Sequence, residues 1–311
     1  MLKRTFSTFL LLTILFCTVY FGRIYGVIGL ATLVSTLALF EFYRLTAKPE
    51  FGGHPRKVIG LVGGACLIPA IYYGASRGEV TSDTEIAMLI PAGIVILFSI
   101  YSVVRLQKNA AWRLPAIVGH LSTGLGLLYL PFMIGFFALL IGQFDNEMNG
   151  VFFCLWILLA TKFTDVGGLL AGKFFGKHKL ASNVSAGKTW EGVVGGVLLS
   201  MLVGAGTVWA LNALGVWDCA VNAADVARSF ENGKILLPSD FAFSPLTGAL
   251  CAIPFALTSV VSDLIESVIK RQAAEKDSGA TIPGMGGALD LLDSLVLVAP
   301  VAYCMVKFVI L

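Results

Sequence analysis

Runs of apolar residues, each close to the length of a membrane crossing and separated by short polar breaks, extend from one end of the chain to the other. A helix that traverses the hydrocarbon of a bilayer needs about 20 mostly apolar residues. Nine candidates lie near positions 6–22, 26–43, 58–76, 86–104, 115–142, 150–171, 192–214, 244–265 and 291–311. In hydrocarbon every backbone N–H and C=O must be bonded within the protein, which favours helices for such runs. The expected fold class is therefore an all-α polytopic integral membrane protein with about nine transmembrane helices. The composition agrees: among 311 residues 57% are hydrophobic and 13% charged, and the mean hydropathy is +0.85. That leaves too little polar surface to cover a water-soluble globule. The fifth run contains Gly124, Gly126, Pro131 and Gly135 and is expected to be tilted or broken.

The basic residues test this count independently, because a missed or invented span would scramble their alternation between the two sides. With the amino terminus in the cytoplasm, 16 of the 22 Lys and Arg residues fall on the cytoplasmic side and 5 on the opposite side, while Lys162 lies within a span. The carboxyl terminus is then outside. The start "MLKRTFSTFLLLTILFCTVYFG" has the charged and apolar regions of a signal peptide but no small-residue cleavage site, so it reads as a retained first span. Residues 1–143 are read as amino-terminal helices and 144–311 as a carboxyl-terminal catalytic region, both in one continuous membrane unit. The outer segment from Trp217 to Phe243 could form a surface helix, and nothing in it suggests chemistry. No repeat of fixed period is present, which weakens an analogy with transporters built from duplicated halves.

A net charge of +3 makes nucleic acid an unexpected partner. The six cysteines lie singly, with no C-x-x-C spacing, and His54, His120 and His178 are isolated. Neither pattern indicates zinc, a redox pair or a disulfide framework.

Costly polar residues concentrate instead in two stretches, both on the predicted cytoplasmic side. In "SDLIESVIKRQAAEKDSGATIPGMGGALDLLDS", positions 262–294, Asp263, Ser267 and Lys270 follow at i, i+4 and i+7 and so share a helix face. Asp290 and Asp293 follow at i, i+3 after a turn in which Pro283 stops the preceding structure. Gly284, Gly286 and Gly287 permit positive φ and close approach of backbone to a ligand. A helix starting there presents free N–H groups suited to phosphate oxygens. Three carboxylates beside lysines would repel one another unless a cation joined them, and oxygen-only ligands favour Mg²⁺ over zinc. That combination points to phosphoryl or nucleotidyl transfer. On their own terms, the turn also reads as a tight interhelical connection and the acids as hydrated helix ends.

In "ATKFTDVGGLLAGKFFGKHKLASNVSAGKTWEGVVGG", positions 160–196, Lys162 and Asp165 lie within an apolar span. They form either a structural ion pair or part of a functional site, the usual meaning of intramembrane charge. Lys173, Lys177 and Lys179 suit anionic membrane lipids. "SAGKT" lacks the G-x-x-x-x-G-K-T spacing of a phosphate-binding loop. Small residues at Gly192, Gly195 and Gly196 permit helix association, including a homodimer.

These stretches resemble the phosphatidate cytidylyltransferases, also called CDP-diacylglycerol synthases. Ser262-Asp263, Ser267, Lys270-Arg271, Lys276-Asp277, Pro283-Gly284-Met285-Gly286-Gly287 and Asp290-Leu291-Leu292-Asp293-Ser294 match that family's carboxyl-terminal signature in order and spacing. Asp165, Gly176-Lys177 and Ser185-Ala186-Gly187-Lys188-Thr189-Trp190-Glu191-Gly192 look like its upstream block, and "LFEFYRL", positions 39–45, resembles the end of its second span. Met285 stands where the family has histidine and Leu291 where it has arginine, which removes a polar donor and a permanent cation.

The resemblance implies transfer of CMP from CTP to phosphatidate, giving CDP-diacylglycerol and pyrophosphate, at the cytoplasmic face of a bacterial inner membrane. It implies Mg²⁺, with a second cation as a further option, on Asp263, Asp290 and Asp293. Lys270, Arg271 and Lys188 would neutralise phosphate charge, and Ser185, Ser267 and Thr189 would bond phosphate oxygens. Asp165 would be a secondary polar contact, and Gly286 and Gly287 would admit the ligand to the backbone. The alternatives are CTP-dependent transfer to another lipid, such as an isoprenoid alcohol or lipid phosphate, a transporter, or a catalytically silent scaffold.

Overall fold

A computed structural model describes residues 2–77, 113–144, 146–181, 185–216, 243–282 and 286–310. The expected span at 86–104, nearly all of the outer segment 217–243, and Pro283, Gly284 and Met285 lie outside the described residues. The helices are α1 Leu2–Thr46, α2 Lys57–Ser76, α3 Arg113–Leu127, α4 Met133–Gln143, α5 Glu147–Phe175, α6 Trp190–Ala213, α7 Pro245–Gln272, α8 Ala288–Leu292 and α9 Val298–Met305. Strands β1 Lys179–Ala181 and β2 Ser185–Thr189 form an antiparallel hairpin between α5 and α6. Among the described residues, six helical segments are long and apolar enough to cross a membrane: Thr13–Thr46, Lys57–Ser76, Val118–Gln143, Glu147–Phe175, Trp190–Ala213 and Pro245–Gln272.

The first of these carries the first two apolar runs. At Arg23 the backbone leaves the helical region, with φ 46° and ψ −138°. A Cβ placed on Gly26 would stand 3.0 Å from the carbonyl oxygen of Thr18, whereas residues eight apart in a straight helix are separated by about 12 Å. The chain therefore folds back sharply at Arg23, and α1 is two helical segments meeting at a bend. The fifth run is interrupted as its composition suggests: α3 passes into α4 through a π-helical turn, Leu128–Phe132, that contains Pro131. Proline cannot donate to the helical ladder, and the wider turn accommodates the missing bond.

The last apolar run, 291–311, is not one continuous helix. It begins inside α8, leaves helical structure before α9, and ends in a π-helical segment, Val306–Ile310. The break has a local cause. Ser262 Oγ on α7 donates to the backbone carbonyl of Asp293 and accepts from Leu297 N at 3.4 Å, so α7 supplies partners that an uninterrupted ladder would otherwise provide.

The described residues group into two compact units interleaved along the chain. One lies within Met1–Tyr73, Thr81–Ala138 and Val268–Leu292, the other within Gly74–Val80, Leu139–Ser267 and Asp293–Leu311. In the first unit, Tyr43 Oη donates to the carbonyl of Thr123 at 2.8 Å, and Thr123 Oγ1 accepts from Arg56 N at 2.7 Å. These bonds tie α1, the start of α2 and α3 together. In the second unit, Trp156 packs edge-on against Phe243 and Phe255, with ring centroids 4.9 and 5.3 Å away. Phe144 stacks on Phe153 at 5.3 Å in the same aromatic cluster.

Helices α5 and α6 approach almost backbone to backbone. A Cβ on Gly167 would lie 2.6 Å from the carbonyl oxygen of Gly195, and one on Gly196 would lie 2.8 Å from that of Thr164. Such small-residue contact is a means of joining helices where water provides no hydrophobic drive. Ser200 Oγ adds a bond to the carbonyl of Ala160 at 2.8 Å. The glycine face of α6 is thus packed within the chain.

Gly167→Val is expected to destabilise the protein by about 1–3 kcal/mol through overpacking. Gly206→Ala, on a part of α6 with open space around the position, should be neutral or stabilising by up to about 1 kcal/mol. Thermal unfolding of both variants in one detergent checks the contrast.

Candidate active site

Each unit carries its own polar cluster, and α7 contributes to both. In the first unit the centre is Asp290. Its Oδ1 accepts from Lys270 Nζ at 2.8 Å, with the two side chains only 12% and 11% exposed. Its Oδ2 accepts from Gly287 N at 2.7 Å, Ser278 N at 3.0 Å and Ser278 Oγ at 2.8 Å. Asp290 is the third residue of α8, and Gly287 directly precedes that helix. The side chain therefore reaches back to the N-terminal N–H in the manner of a capping box, which explains why an acid stands there. Gly286 has φ +105°, a conformation open to glycine, and exchanges backbone bonds of 2.9 and 3.2 Å with Ile282 to close the loop.

The loop is gripped from α1. Glu41, 3% exposed, accepts from Ser278 Oγ at 3.0 Å, from Leu289 N at 2.9 Å and from Thr281 Oγ1. Arg44 Nη2 donates to the carbonyl of Ser278 at 2.5 Å. Lys48 Nζ donates to the carbonyl of Ala273 at 2.9 Å and pairs with Glu275 at 2.6 Å. Glu41, Arg44 and Lys48 recur at i, i+3 and i+7 and so occupy one face of α1. A Cβ on Gly279 or Gly287 would strike the Glu41 carboxylate, which is why both positions are glycine.

In the second unit, α5 supplies Lys162 and Asp165, β2 supplies Lys188, α7 supplies Asp263 and Ser267, and the turn after α8 supplies Asp293 and Ser294. Lys188 Nζ lies 2.5 Å from Asp263 Oδ2 and 3.3 Å from the carbonyl of Val260. Lys162 Nζ donates to Ser294 Oγ at 2.8 Å and stands 3.9 Å from Asp293 Oδ1. Ser267 Oγ is 3.4 Å from Asp263 Oδ1, as the i, i+4 spacing predicts. Asp165 hydrogen-bonds Ser294 and interacts electrostatically with Asp263, Lys162 and Lys188, while Asp293 interacts with Asp165, Asp263 and Lys162. Three carboxylates thus face two ammonium groups.

This donor set is all oxygen and carries surplus negative charge, which fits a hard divalent cation. Among the described residues, no group of three His, Cys, Asp or Glu side chains is arranged to hold a metal ion in the geometry shown. The lysines instead occupy the carboxylates. Of the three aspartates expected to act together, Asp263 and Asp293 lie in the second unit, with Asp165 as their neighbour, and Asp290 lies in the first.

The remaining expected site residues have varied places. Thr189 is buried and caps α6 by accepting from Gly192 N at 3.1 Å, so its hydroxyl serves the fold. Arg271 is exposed at the end of α7, where Nη1 donates to the carbonyl of Glu275 at 3.4 Å. Ser185 begins β2. Glu191 accepts from the backbone N–H groups of Lys177 and His178 and pairs with His178 Nδ1 at 2.6 Å, which fastens the hairpin to the start of α6. Sequence reasoning missed Glu41, Ser278 and Ser294 as functional partners. For Glu41 a signal was present, since it is a lone acid in an apolar run.

Burial raises the Asp290 carboxyl, but the bonds from Lys270, Gly287 and Ser278 outweigh it and hold the group below the ordinary carboxylate range. A carboxyl lowered by folding contributes stability that is complete above its unfolded value and is lost as pH falls through its folded value. Asp290→Asn is therefore expected to destabilise by about 1–3 kcal/mol near neutral pH, with the difference from the parent shrinking below about pH 4. Thermal midpoints of both proteins measured from pH 3 to 8 check this.

Comparison with known proteins completes the picture. A family model described as the cytidylyltransferase family matches residues 2–309. A phosphatidate cytidylyltransferase of Haemophilus influenzae is 32% identical over 173 residues, 55% of this chain and 51% of that protein. One of Mycobacterium leprae is 32% identical over 177 residues, 57% of this chain and 46% of that protein. One of Staphylococcus haemolyticus is 27% identical over 273 residues, 86% of this chain and 88% of that protein. The chain spans about half the length of the first two relatives. With a family match that runs nearly from end to end and takes in both polar clusters, the chain belongs to the cytidylyltransferase family.

Proposed function

We propose that the protein transfers CMP from CTP to phosphatidate, releasing pyrophosphate and forming CDP-diacylglycerol for phospholipid synthesis. The observation that carries this reading is the cluster of Lys162, Asp165, Lys188, Asp263 and Asp293, set in apolar helices and drawn from the segments that match the family. Relatives named phosphatidate cytidylyltransferase support the substrate assignment. A lipid phosphate oxygen would attack the α-phosphorus of CTP, forming the new P–O bond as the bond to pyrophosphate breaks. No group on the protein needs to be covalently modified.

The lysines have a definite part in this reaction. Lys188 on Asp263 and Lys270 on Asp290 are bonded to carboxylates in the structure; on substrate binding they would turn to phosphate oxygens and neutralise charge there. Arg271, exposed and permanently charged, would assist. Ser267 and Ser185 would bond phosphate oxygens. Asp263 and Asp293, with Asp165 beside them, would hold Mg²⁺, and Asp290 would offer Oδ1 to a cation because Oδ2 is engaged by its own turn. Bound Mg²⁺ would supply charge stabilisation to the reacting phosphates.

In this reading the chain crosses a bacterial inner membrane nine times, with its amino terminus and active site on the cytoplasmic side. The distribution of basic residues supports that orientation. A homodimer would use faces other than the packed glycine face of α6. Leu291, where the family has arginine, favours a second reading in which another lipid, such as an isoprenoid phosphate, is the acceptor.

Purified protein in detergent with labelled CTP, Mg²⁺ and phosphatidate is expected to yield lipid-linked CMP. Asp263→Asn and Lys188→Ala should each lower the rate by about 10²–10³-fold, and chelation should abolish it until Mg²⁺ is restored. Absence of product from the parent with phosphatidate, but not with isoprenoid phosphate, would select the second reading; absence with both would leave a scaffold or transporter.

A further inference from the structure

We propose that Glu41 is a positioning residue for Asp290 and acts through the hydroxyl of Ser278. The inference rests on the reading of Asp290 and Lys270 as part of the nucleotidyl-transfer machinery.

Glu41 lies almost fully buried on α1, and its partners are neutral: two hydroxyls and one backbone N–H. A buried carboxylate is costly unless its oxygens are bonded, and an apolar residue would satisfy the same helix without that requirement. All three donors come from residues 278–289, the segment that leads directly into Asp290. Ser278 Oγ precedes the glycine loop, and Leu289 N immediately precedes Asp290. Glu41 thus fixes the segment that presents the catalytic carboxylate, from a point 237 residues away from Ser278 in the chain.

Ser278 makes the link specific. Its Oγ is 3.0 Å from Glu41 Oε2 and 2.8 Å from Asp290 Oδ2, and Asp290 N donates to it at 3.3 Å. A hydroxyl has one hydrogen, so one donor stands between two carboxylates. With Ser278 held by Glu41, Asp290 Oδ2 remains fastened to its turn and Oδ1 remains the atom facing Lys270. Without Glu41, Ser278 Oγ and Leu289 N lose their shared acceptor, and the segment that presents Asp290 to Lys270 is held only by the bonds that Asp290 itself makes. The charge of Glu41 is not what the arrangement needs. A glutamine can keep its oxygen toward Ser278 and Leu289 and direct its NH₂ group at the Thr281 hydroxyl, which can accept.

The test compares Glu41→Ala, Glu41→Gln, Ser278→Ala, Thr281→Ala and the Glu41→Ala/Ser278→Ala pair in the full chain, with CMP transfer normalised to folded protein. Glu41→Ala and Ser278→Ala are expected to lower kcat roughly ten-fold or more, with KM for CTP changed by less than about two-fold, and the pair should be no worse than either alone. Glu41→Gln should retain kcat within about three-fold, and Thr281→Ala within about two-fold although it also removes a bond to Glu41. Losses that multiply in the pair, unchanged kcat in Glu41→Ala, or an equal loss in Thr281→Ala would overturn the proposal and leave Glu41 as a purely structural staple. Should Glu41→Ala not fold, the contrast between Ser278→Ala and Thr281→Ala decides. Should the parent transfer no CMP to any lipid, the proposed function falls; the link is then read by thermal unfolding of Glu41→Ala, Asp290→Asn and their pair. Non-additive midpoints support it and additive ones overturn it.

Discussion

A carboxylate among apolar helices persists as an anion only where cations or N–H and O–H donors face it. That requirement organises both polar clusters. Asp290 has four donors around it, Asp263 has Lys188, and Asp293 has Lys162 and the backbone N–H of Ser294. Much of the surrounding structure can be understood as delivering those donors: the hairpin carries Lys188, the turn after α8 brings Ser294 to Lys162, and the bend of the glycine loop points two backbone N–H groups at one oxygen. The same arrangement makes the site exchangeable. In the proposed reaction, lysines bonded to acids would move to phosphates as another cation took their place, so the pairing that preserves the resting fold would also prepare the groups for a polyanionic substrate.

The apolar runs were legible because a membrane imposes both length and composition on its helices. Their termini and interruptions were less so. The bend at Arg23 falls between two expected spans, and the π turn at Pro131 falls inside the run whose glycines and proline marked it as irregular. The break after α8 was invisible, since it depends on Ser262 donating to a backbone carbonyl 31 residues away. Residues 291–311 satisfy every compositional test of a span, and only a partner on another helix reveals that the helix within them is broken.

The site shows the same division between local and distant. Spacing on α7 correctly placed Ser267 beside Asp263, and the acid at position 290 reads in hindsight as the third residue of a capped helix. Grouping Asp290 with Asp263 and Asp293 rests on short separations in sequence, whereas Asp165 joins Asp263 and Asp293 within their unit from a different helix. Thr189, expected to bond a phosphate oxygen, also caps α6 by accepting from Gly192 N. Glu41 and Ser278 could not be joined by any periodicity, because nothing in a single sequence relates positions so far apart.

The grip of Glu41 on the segment 278–289 also fixes an order of assembly. Helices α5 and α6 with their hairpin are contiguous, so their packing can form while later residues are still being synthesised. The Asp290 cluster cannot, because its two halves stand 237 residues apart in the chain. A protein released before residue 278 would own its first helices and the α5–α6 pair, but the carboxylate of Glu41 would lack the Ser278, Thr281 and Leu289 donors that meet it. Completion of this cluster waits for residues 278–290, and products truncated before them would be marked by an unpartnered charge that quality control can recognise through the instability it causes.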